Sequence, residues 1–174
     1  MLFYPRLCEI PYVPQNRERI YIVGFQKKSK LIDGFEFPKP LKLTKSVQDI
    51  LDREVEKRYY YDGKPLSEQM AGYPFRSGVV YQWRRKYVRE NKSGVCPTLT
   101  ANMGTGGHNV PIIKDRRGVR KLTPRECARV QGFPNSYRLP RVGDSHLYKQ
   151  IGNSVSEPVV SKIARKMMGS MKTV

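Results

Sequence analysis

Residues 66–111 restrict the fold more than any other segment, because no helical period runs through them. Short β-like pieces alternate there with glycine and proline, which predicts a β- and loop-rich module. Helices are predicted after it. Thr123, Pro124 and Glu126 form a helix start, with Thr as N-cap, Pro in the first position and Glu completing a capping box. A final helix is predicted from Glu157 to about Met168, so we expect an α+β chain.

Shorter patterns predict the remaining elements. Residues 1–25 are expected to form two strands around a proline turn, the second being the β-branched and aromatic run 19–25. Ser46 is expected to cap a helix that reaches Val55, with apolar residues at i, i+3, i+4 and i+8. Residues 135–147 are expected to be a loop.

The charge balance indicates a polyanionic partner. Among 174 residues, 33 Lys and Arg stand against 15 Asp and Glu, a formal net charge of +18. Nucleic acid is the commonest partner for such a field, although a ribosomal or membrane-surface protein could carry the same excess. Either basic run alone could be a solvated face, but two in one chain favour salt-dependent phosphate contact. The runs are Arg76, Arg84, Arg85, Lys86, Arg89 and Lys92, and then Lys114, Arg116, Arg117, Arg120, Lys121, Arg125 and Arg129.

Several classes of protein are disfavoured. No apolar window is long enough for a membrane span, and the first residues lack the layout of a signal peptide. Three widely spaced cysteines argue against a disulfide framework and for a reducing compartment. His108 and His146 have no metal-ligand spacing with those cysteines, so no metal site is expected. We therefore expect a soluble, cytoplasmic protein.

Three polar segments are unusual when they are taken together. They are Pro-Gln-Asn-Arg-Glu-Arg at 14–19, Arg-Lys-Leu-Thr-Pro-Arg-Glu-Cys-Ala-Arg-Val-Gln-Gly-Phe-Pro at 120–134, and Tyr-Lys-Gln-Ile-Gly-Asn-Ser-Val at 148–155. Alone, the first could be a charged strand entrance and the third a helix cap. In this order and spacing, they resemble the last shared blocks of the bacterial DNA (cytosine-5)-methyltransferases of restriction–modification systems. Residues 96–101, followed by a Gly-rich stretch, resemble the Thr-Leu element of that family's target-recognition region.

The resemblance implies a role for each block. Methylation at cytosine C5 with S-adenosyl-L-methionine requires the base to be flipped out of double-stranded DNA. By resemblance, Arg19 would contact the flipped cytosine, while Gln15 and Arg17 would support its pocket. The turn at residues 153–155 would close the cofactor pocket, its residues being Asn153, Ser154 and Val155. Residues expected to contact base edges or phosphates are Arg84, Arg85, Arg89, Thr98, Leu99, Gly106, Gly107 and His108. Arg125, Glu126 and Arg129 are expected to brace the recognition module, and Cys127 to lie in the core.

The sequence also departs from that family. It has no Phe-x-Gly-x-Gly cofactor turn, no Glu-Asn-Val and no cysteine after a proline, so the family's nucleophile is not found. We expect the chain to be the small subunit of a split methyltransferase, a heterodimer with a larger subunit, and not to methylate DNA alone. The alternatives are a freestanding DNA-binding module derived from such an enzyme and a basic ribosomal or RNA-binding protein.

A division into three parts follows from the resemblance. Residues 1–28 would be a strand pair of the catalytic domain, residues 29–147 the target-recognition domain, and residues 148–174 a turn and helix returning to the catalytic domain. The strand pair and the helix would complete an α/β methyltransferase domain supplied by the other chain.

Overall fold

A computed structural model of the protein describes residues 2–8, 13–26, 35–40, 43–84, 86–105 and 109–171. Strands β1 (Leu2–Cys8) and β2 (Arg19–Phe25) pair antiparallel along their whole length, from Leu2 opposite Phe25 to Cys8 opposite Arg19. The predicted strand pair is confirmed. Its β-branched and aromatic residues suit a pleated, half-buried surface.

A second sheet is formed by four short strands between residues 81 and 121. Strands β3 (Tyr81–Trp83), β4 (Val88–Glu90), β5 (Ile112–Lys114) and β6 (Val119–Lys121) are antiparallel, in the order β4-β3-β5-β6. One face buries an aromatic cluster that includes Tyr81, Trp83 and Ile112. The prediction of a β- and loop-rich module is confirmed, with one short helix at its edge, α1 (Pro65–Gln69).

Three further helices follow: α2 (Pro124–Val130), α3 (Asp144–Asn153) and α4 (Glu157–Ser170). The capping box of α2 is present, since the amide N–H of Glu126 donates to Thr123 Oγ1 at 3.1 Å and that of Thr123 donates to Glu126 Oε2 at 2.7 Å. The predicted final helix is also confirmed. Val159 and Ile163 of α4 pack in one cluster with β2 residues Val23 and Phe25.

The helix predicted from Ser46 is wrong. Only 3-10 turns form there, at Gln48–Ile50 and Lys57–Tyr59. The N–H of Asp52, which would continue a helix onto the carbonyl of Gln48, donates instead to Glu126 Oε1 at 2.9 Å. The apolar pattern marked buried positions correctly, because Val47, Ile50 and Val55 all lie in the main core, but it did not specify their backbone.

The prediction of a loop over residues 135–147 is wrong at its C-terminal end, because α3 begins at Asp144. Its N-cap is Gly143, so no Ser, Thr or Asp signal precedes the first turn. Its buried stripe is narrow and contains Gly152 beside Leu147 and Ile151. This helix is held mainly by tertiary contacts with the 3-10 turn at Ala101–Gly104.

Arg120 is not available to a phosphate group, in contrast to the expectation for the second basic run. Its side chain is fully buried, with Nη1 and Nη2 donating to both carboxylate oxygens of Glu126 at 2.8 and 2.9 Å. Its Nε donates to Asp115 Oδ2 at 2.6 Å. Burial lowers the pKa of Arg120, but the two carboxylates outweigh it and raise the pKa overall. Arg76 of the first run is likewise paired, with both oxygens of Glu90 at 2.7 Å.

The other residues of α2 also have structural partners. Arg129 donates to Asp52 Oδ1 at 2.7 Å and to the carbonyl of Ile50 at 3.1 Å. Arg125 donates to the carbonyl of Tyr137 at 2.6 Å, and Cys127 is fully buried. These contacts agree with the prediction that Arg125, Glu126 and Arg129 brace the recognition module, and the prediction that Cys127 is a core residue is confirmed.

Glu126→Gln is expected to lower the free energy of unfolding by about 3 kcal/mol, because it leaves the buried Arg120 guanidinium without a charged acceptor on one side. Urea denaturation measures the change. Arg116→Ala, at an exposed site on the β5–β6 turn, should stay within about 0.5 kcal/mol of the wild type. Equal stability of all three proteins would show that this ion pair does not stabilise the fold.

Candidate functional site

The polar segment at residues 14–19 lies directly against the Thr-Leu element. The N–H of Asn16 donates to the carbonyl of Cys96 at 2.8 Å, and the N–H of Cys96 donates to the carbonyl of Pro14 at 2.7 Å. Thr98 Oγ1 donates to the carbonyl of Asn16 at 2.5 Å. A parallel β-bridge between Gln15 and Cys96 thus joins two segments about 80 residues apart in sequence.

Gln15 begins a chain of buried amides. Its Oε1 accepts the N–H of Leu99 at 3.2 Å, and its Nε2 donates to Gln131 Oε1 at 3.2 Å. Gln131, at the end of α2, donates in turn to the carbonyl of Ile151 at 3.0 Å. Because an amide both donates and accepts, glutamine can link three segments in this way where an apolar residue or a carboxylate could not.

Arg17 connects the Thr-Leu element to the turn between α3 and α4. Its Nη1 donates to the carbonyl of Leu99 at 2.7 Å, while Nη2 donates to the carbonyls of Ser154 at 2.7 Å and Gly152 at 3.3 Å. Burial and then the positive charge of Arg19 lower the pKa of Arg17. The guanidinium still carries its charge at neutral pH, so these three carbonyls bind a cation.

Arg19 lies at the start of β2 with an exposed side chain. Its guanidinium donates to the carbonyl of the neighbouring Glu18. Four N–H groups of a guanidinium fork remain after that bond, so the side chain has donors to offer to a bound molecule.

The turn at residues 153–155 is exposed on one side. Asn153 ends α3 with an exposed side chain, and Val155 is 49 % exposed. Ser154 does not cap the last helix, since its Oγ donates backwards to the carbonyl of Ile151 at 2.7 Å. The helix-cap interpretation of this segment is therefore wrong, and the N-cap residue of α4 is Ser156.

The residues predicted to contact DNA lie in different surroundings. Arg84, Arg89 and Thr98 line one cleft, described below, and both arginines are exposed. Leu99 is fully buried, so its side chain contacts the core while its backbone holds Gln15 and Arg17. Four predicted residues lie outside the described part of the chain, namely Arg85, Gly106, Gly107 and His108.

Two contributors to this site were not singled out from the sequence. Gln131 stood inside the second polar segment, but a buried acceptor for it could not be foreseen. Gly152 allows α3 to approach the Thr-Leu element, since a Cβ there would lie 2.1 Å from the carbonyl oxygen of Thr100. Its place in the Gly-Asn-Ser turn was the available signal, because glycine marks close backbone approach.

Among the described residues, no group of His, Cys, Asp and Glu could hold a metal ion, and no helix is long and apolar enough to cross a membrane.

The three polar segments contact one another through Arg17 and Gln15. All three segments lie within the part of the chain that matches one protein-family model. The model of the C-5 cytosine-specific DNA methylases matches residues 8–169. The chain belongs to this family. The type II methyltransferase M.Bsp6I of Bacillus sp. (strain RFL6) is 53 % identical to this family member over 167 residues, which are 91 % of this chain and 51 % of the relative. M.DsaV of Dactylococcopsis salina is 37 % identical over 164 residues, 90 % of this chain and 44 % of the relative.

Solved structures of methyltransferases share the fold of this family member. The Entamoeba histolytica methyltransferase EhMeth superposes with a TM-score of 0.64 at 18 % identity, over 99 % of this chain and 55 % of that one. The mixed α/β fold with an antiparallel sheet thus resembles the folds of solved methyltransferase structures. The chain spans about half the length of the curated relatives it matches.

Gly152→Ala is expected to lower the free energy of unfolding by about 2 kcal/mol, because the added methyl group would overlap the backbone of Thr100. Thermal or urea denaturation measures this. The matched control is Gly169→Ala, at an exposed position of α4 with no atom within 4 Å of the new Cβ. That change should raise stability by up to about 1 kcal/mol, since alanine is the better helix former. Opposite signs are expected, and stabilisation by both changes would refute the close packing at Gly152.

Proposed function

We propose that this chain is the DNA-recognition half of a DNA (cytosine-5)-methyltransferase of a type II restriction–modification system. With a larger subunit that carries the catalytic cysteine, it methylates cytosine at C5 and protects DNA from a cognate restriction endonuclease. The observation that carries the proposal is the junction at Arg17, which binds the Thr-Leu element and the Gly-Asn-Ser turn at once. This junction lies within the residues that match the family.

The reaction assigns a task to the exposed arginine. The base must first leave the stacked duplex. A thiolate then adds to cytosine C6, C5 becomes nucleophilic and takes a methyl group, and loss of the C5 proton expels the thiolate and restores the C5–C6 double bond. S-adenosylmethionine supplies the methyl group when it is bound. Arg19 holds the flipped cytosine through its guanidinium fork and stabilises the charge that develops on the ring. Gln15 and Arg17 keep that strand in place through their buried contacts.

The turn at residues 153–155 forms one wall of the cofactor pocket in this proposal. Asn153 offers an exposed amide and Val155 an exposed aliphatic surface. That combination fits a molecule with a polar amino-acid end and a less polar body. Arg17 holds the backbone of this turn in position by donating to the carbonyl of Ser154.

The nucleophile comes from another chain. Cys96 and Cys127 are fully buried, and burial raises the pKa of both thiols. A reactive cysteine needs an accessible site that favours the thiolate, so neither side chain suits attack on a base. The family's Pro-Cys pair is also missing from the sequence.

One face of β2 supports the docking of that other chain. Tyr21, Val23 and Phe25 face α4, whereas Ile20 and Ile22 are 66 % and 65 % exposed on the opposite face. β-branched residues at alternate positions are typical of a strand that is covered on both sides. The catalytic subunit covers this face and completes the α/β domain, to which residues 1–28 and 148–174 belong in this proposal.

A freestanding, non-catalytic DNA-binding protein derived from such an enzyme is the second candidate. The net charge of +18 favours DNA binding in both cases. The exposed isoleucines favour the two-chain enzyme, since a freestanding module would bury them within itself.

Methylation by a mixture tests the proposal. The full chain is combined with the half of M.Bsp6I that lies outside the matched region, plasmid DNA and labelled S-adenosylmethionine. We expect label in the DNA from the mixture and background label from either polypeptide alone. Full-rate methylation by the second polypeptide alone would refute the two-subunit proposal.

Ile22→Lys tests, in the same experiment, whether the exposed face of β2 binds the other polypeptide. A lysine placed on the face that meets the other polypeptide should abolish association in size-exclusion chromatography and methylation with it, because its charge would be buried. Val142→Lys, at another exposed apolar position, should assemble normally. Normal assembly of the Ile22 variant would place the contact elsewhere.

Arg19→Ala in an active mixture is expected to lower the methylation rate on the order of 100-fold, because a donor to the developing charge is removed. Binding of a fluorescent duplex should weaken by less than about 10-fold, as for the loss of one phosphate contact. Arg141→Ala, at an exposed site before α3, is the matched control and should change neither quantity by much. Equal losses of rate and binding would contradict the role in holding the base.

A further inference from the structure

Strands β3 and β4 separate two kinds of surface. In their antiparallel register Tyr81 pairs with Glu90 and Trp83 with Val88, on the face that packs into the aromatic cluster. Because side chains alternate along a strand, the pair Gln82 and Arg89 projects from the opposite face.

That opposite face borders a cleft of about 400 Å³. Among the described residues that line it, five side chains are amides, two are arginines, two are threonines, one is proline and none is acidic. Asn16 is one of the amides, so the cleft opens beside the segment that carries Arg17 and Arg19. It therefore adjoins the place where the flipped base would be held.

Gln82 fixes the direction of Arg89. Its amide is almost fully buried, at 6 % exposure, and Gln82 Oε1 accepts a hydrogen bond from Arg89 Nη2 at 2.5 Å. The neutral acceptor orients the guanidinium without cancelling its charge. By contrast, both oxygens of Glu90 neutralise Arg76 on the other side of the same hairpin.

The hydrogen-bonding groups that line the cleft suit base edges better than phosphates. Phosphate oxygens only accept hydrogen bonds, so a phosphate would pair with the NH2 donors of Asn102 and Asn109 and leave their carbonyl oxygens unused. Base edges in the major groove present donors and acceptors, which suits amides. An oriented guanidinium matches the O6 and N7 acceptors of guanine with two hydrogen bonds.

We propose that this amide-rich cleft is the base-recognition pocket of the chain, in which Arg89 binds a guanine of the recognition sequence and Gln82 is its positioning residue. The inference rests on the proposed function. It adds Gln82, Asn102 and Asn109 to the recognition surface and makes Arg89 a determinant of sequence and not only of affinity.

The test is a binding selection from a library of random duplexes, carried out with the mixture of the full chain and the complementary half. The wild type should enrich one sequence containing guanine. Arg89→Lys keeps the charge but loses the planar fork, so the preference for guanine should fall on the order of 10- to 100-fold at one position only. Arg76→Lys is the matched control and should leave every position unchanged.

Variants of Gln82 test the positioning role. Gln82→Leu removes the acceptor and should relax the same position as Arg89→Lys, whereas Gln82→Glu keeps an acceptor but pairs the guanidinium charge, so it should keep the preference for guanine while weakening binding overall. Thermal melting checks that each variant is folded. Because Arg89 is exposed, its variant keeps the test valid if Gln82→Leu does not fold.

Three results would overturn the inference. An unchanged base profile for Arg89→Lys would remove the arginine from recognition. For Arg89→Ala, uniform weakening at all positions, with the slope of log affinity against log salt reduced by about 1, would identify a phosphate contact instead. If the wild type enriches no sequence, the inference fails, and the methylation assay reports separately whether the proposed function fails with it.

Discussion

The carboxylate of Glu126 is the contact on which most of the described structure depends. It accepts hydrogen bonds from Arg120, from the N–H of Thr123 and from the N–H of Asp52, and so joins β6, the start of α2 and the segment that precedes the sheet. A buried ion pair loses its hydration on both sides, and such additional hydrogen bonds are what offset that cost. Because Gln131 directly follows the last residue of α2, the position of the buried amide chain follows from this one carboxylate.

The functional site is assembled through backbone carbonyls. Arg17 binds carbonyls of residues 99, 152 and 154, which belong to the Thr-Leu element, the last turn of α3 and the turn that follows it. A planar guanidinium can serve several acceptors in fixed directions, which a lysine ammonium does less well. Arg17 itself therefore requires no particular side chain at these positions, but Gly152 must stay small and Leu99 is held in the core for other reasons.

Short sequence patterns correctly predicted the elements whose formation depends mainly on residues close together in the sequence. The capping box of α2, the β-branched strand pair and the periodic face of α4 each carry their own explanation within a few residues. The helix expected from Ser46 failed because Glu126, far along the chain, takes the N–H of Asp52. The same holds for the site. Its three polar segments could be recognised from the sequence, but the contacts of Gln131 and the burial of Arg120 could not. They depend on carbonyls and carboxylates that only the fold brings near.

The alternation of side chains on β3 has a consequence for how such a chain can change over evolutionary time. Tyr81 and Trp83 belong to the core, while Gln82 between them faces a polar cleft. Substitutions at the middle position alter the chemistry of the cleft and leave the aromatic packing intact. The two-residue period of a strand thus lets one short segment diversify its outward chemistry at little risk to folding, so that relatives of equal stability can differ in what they bind.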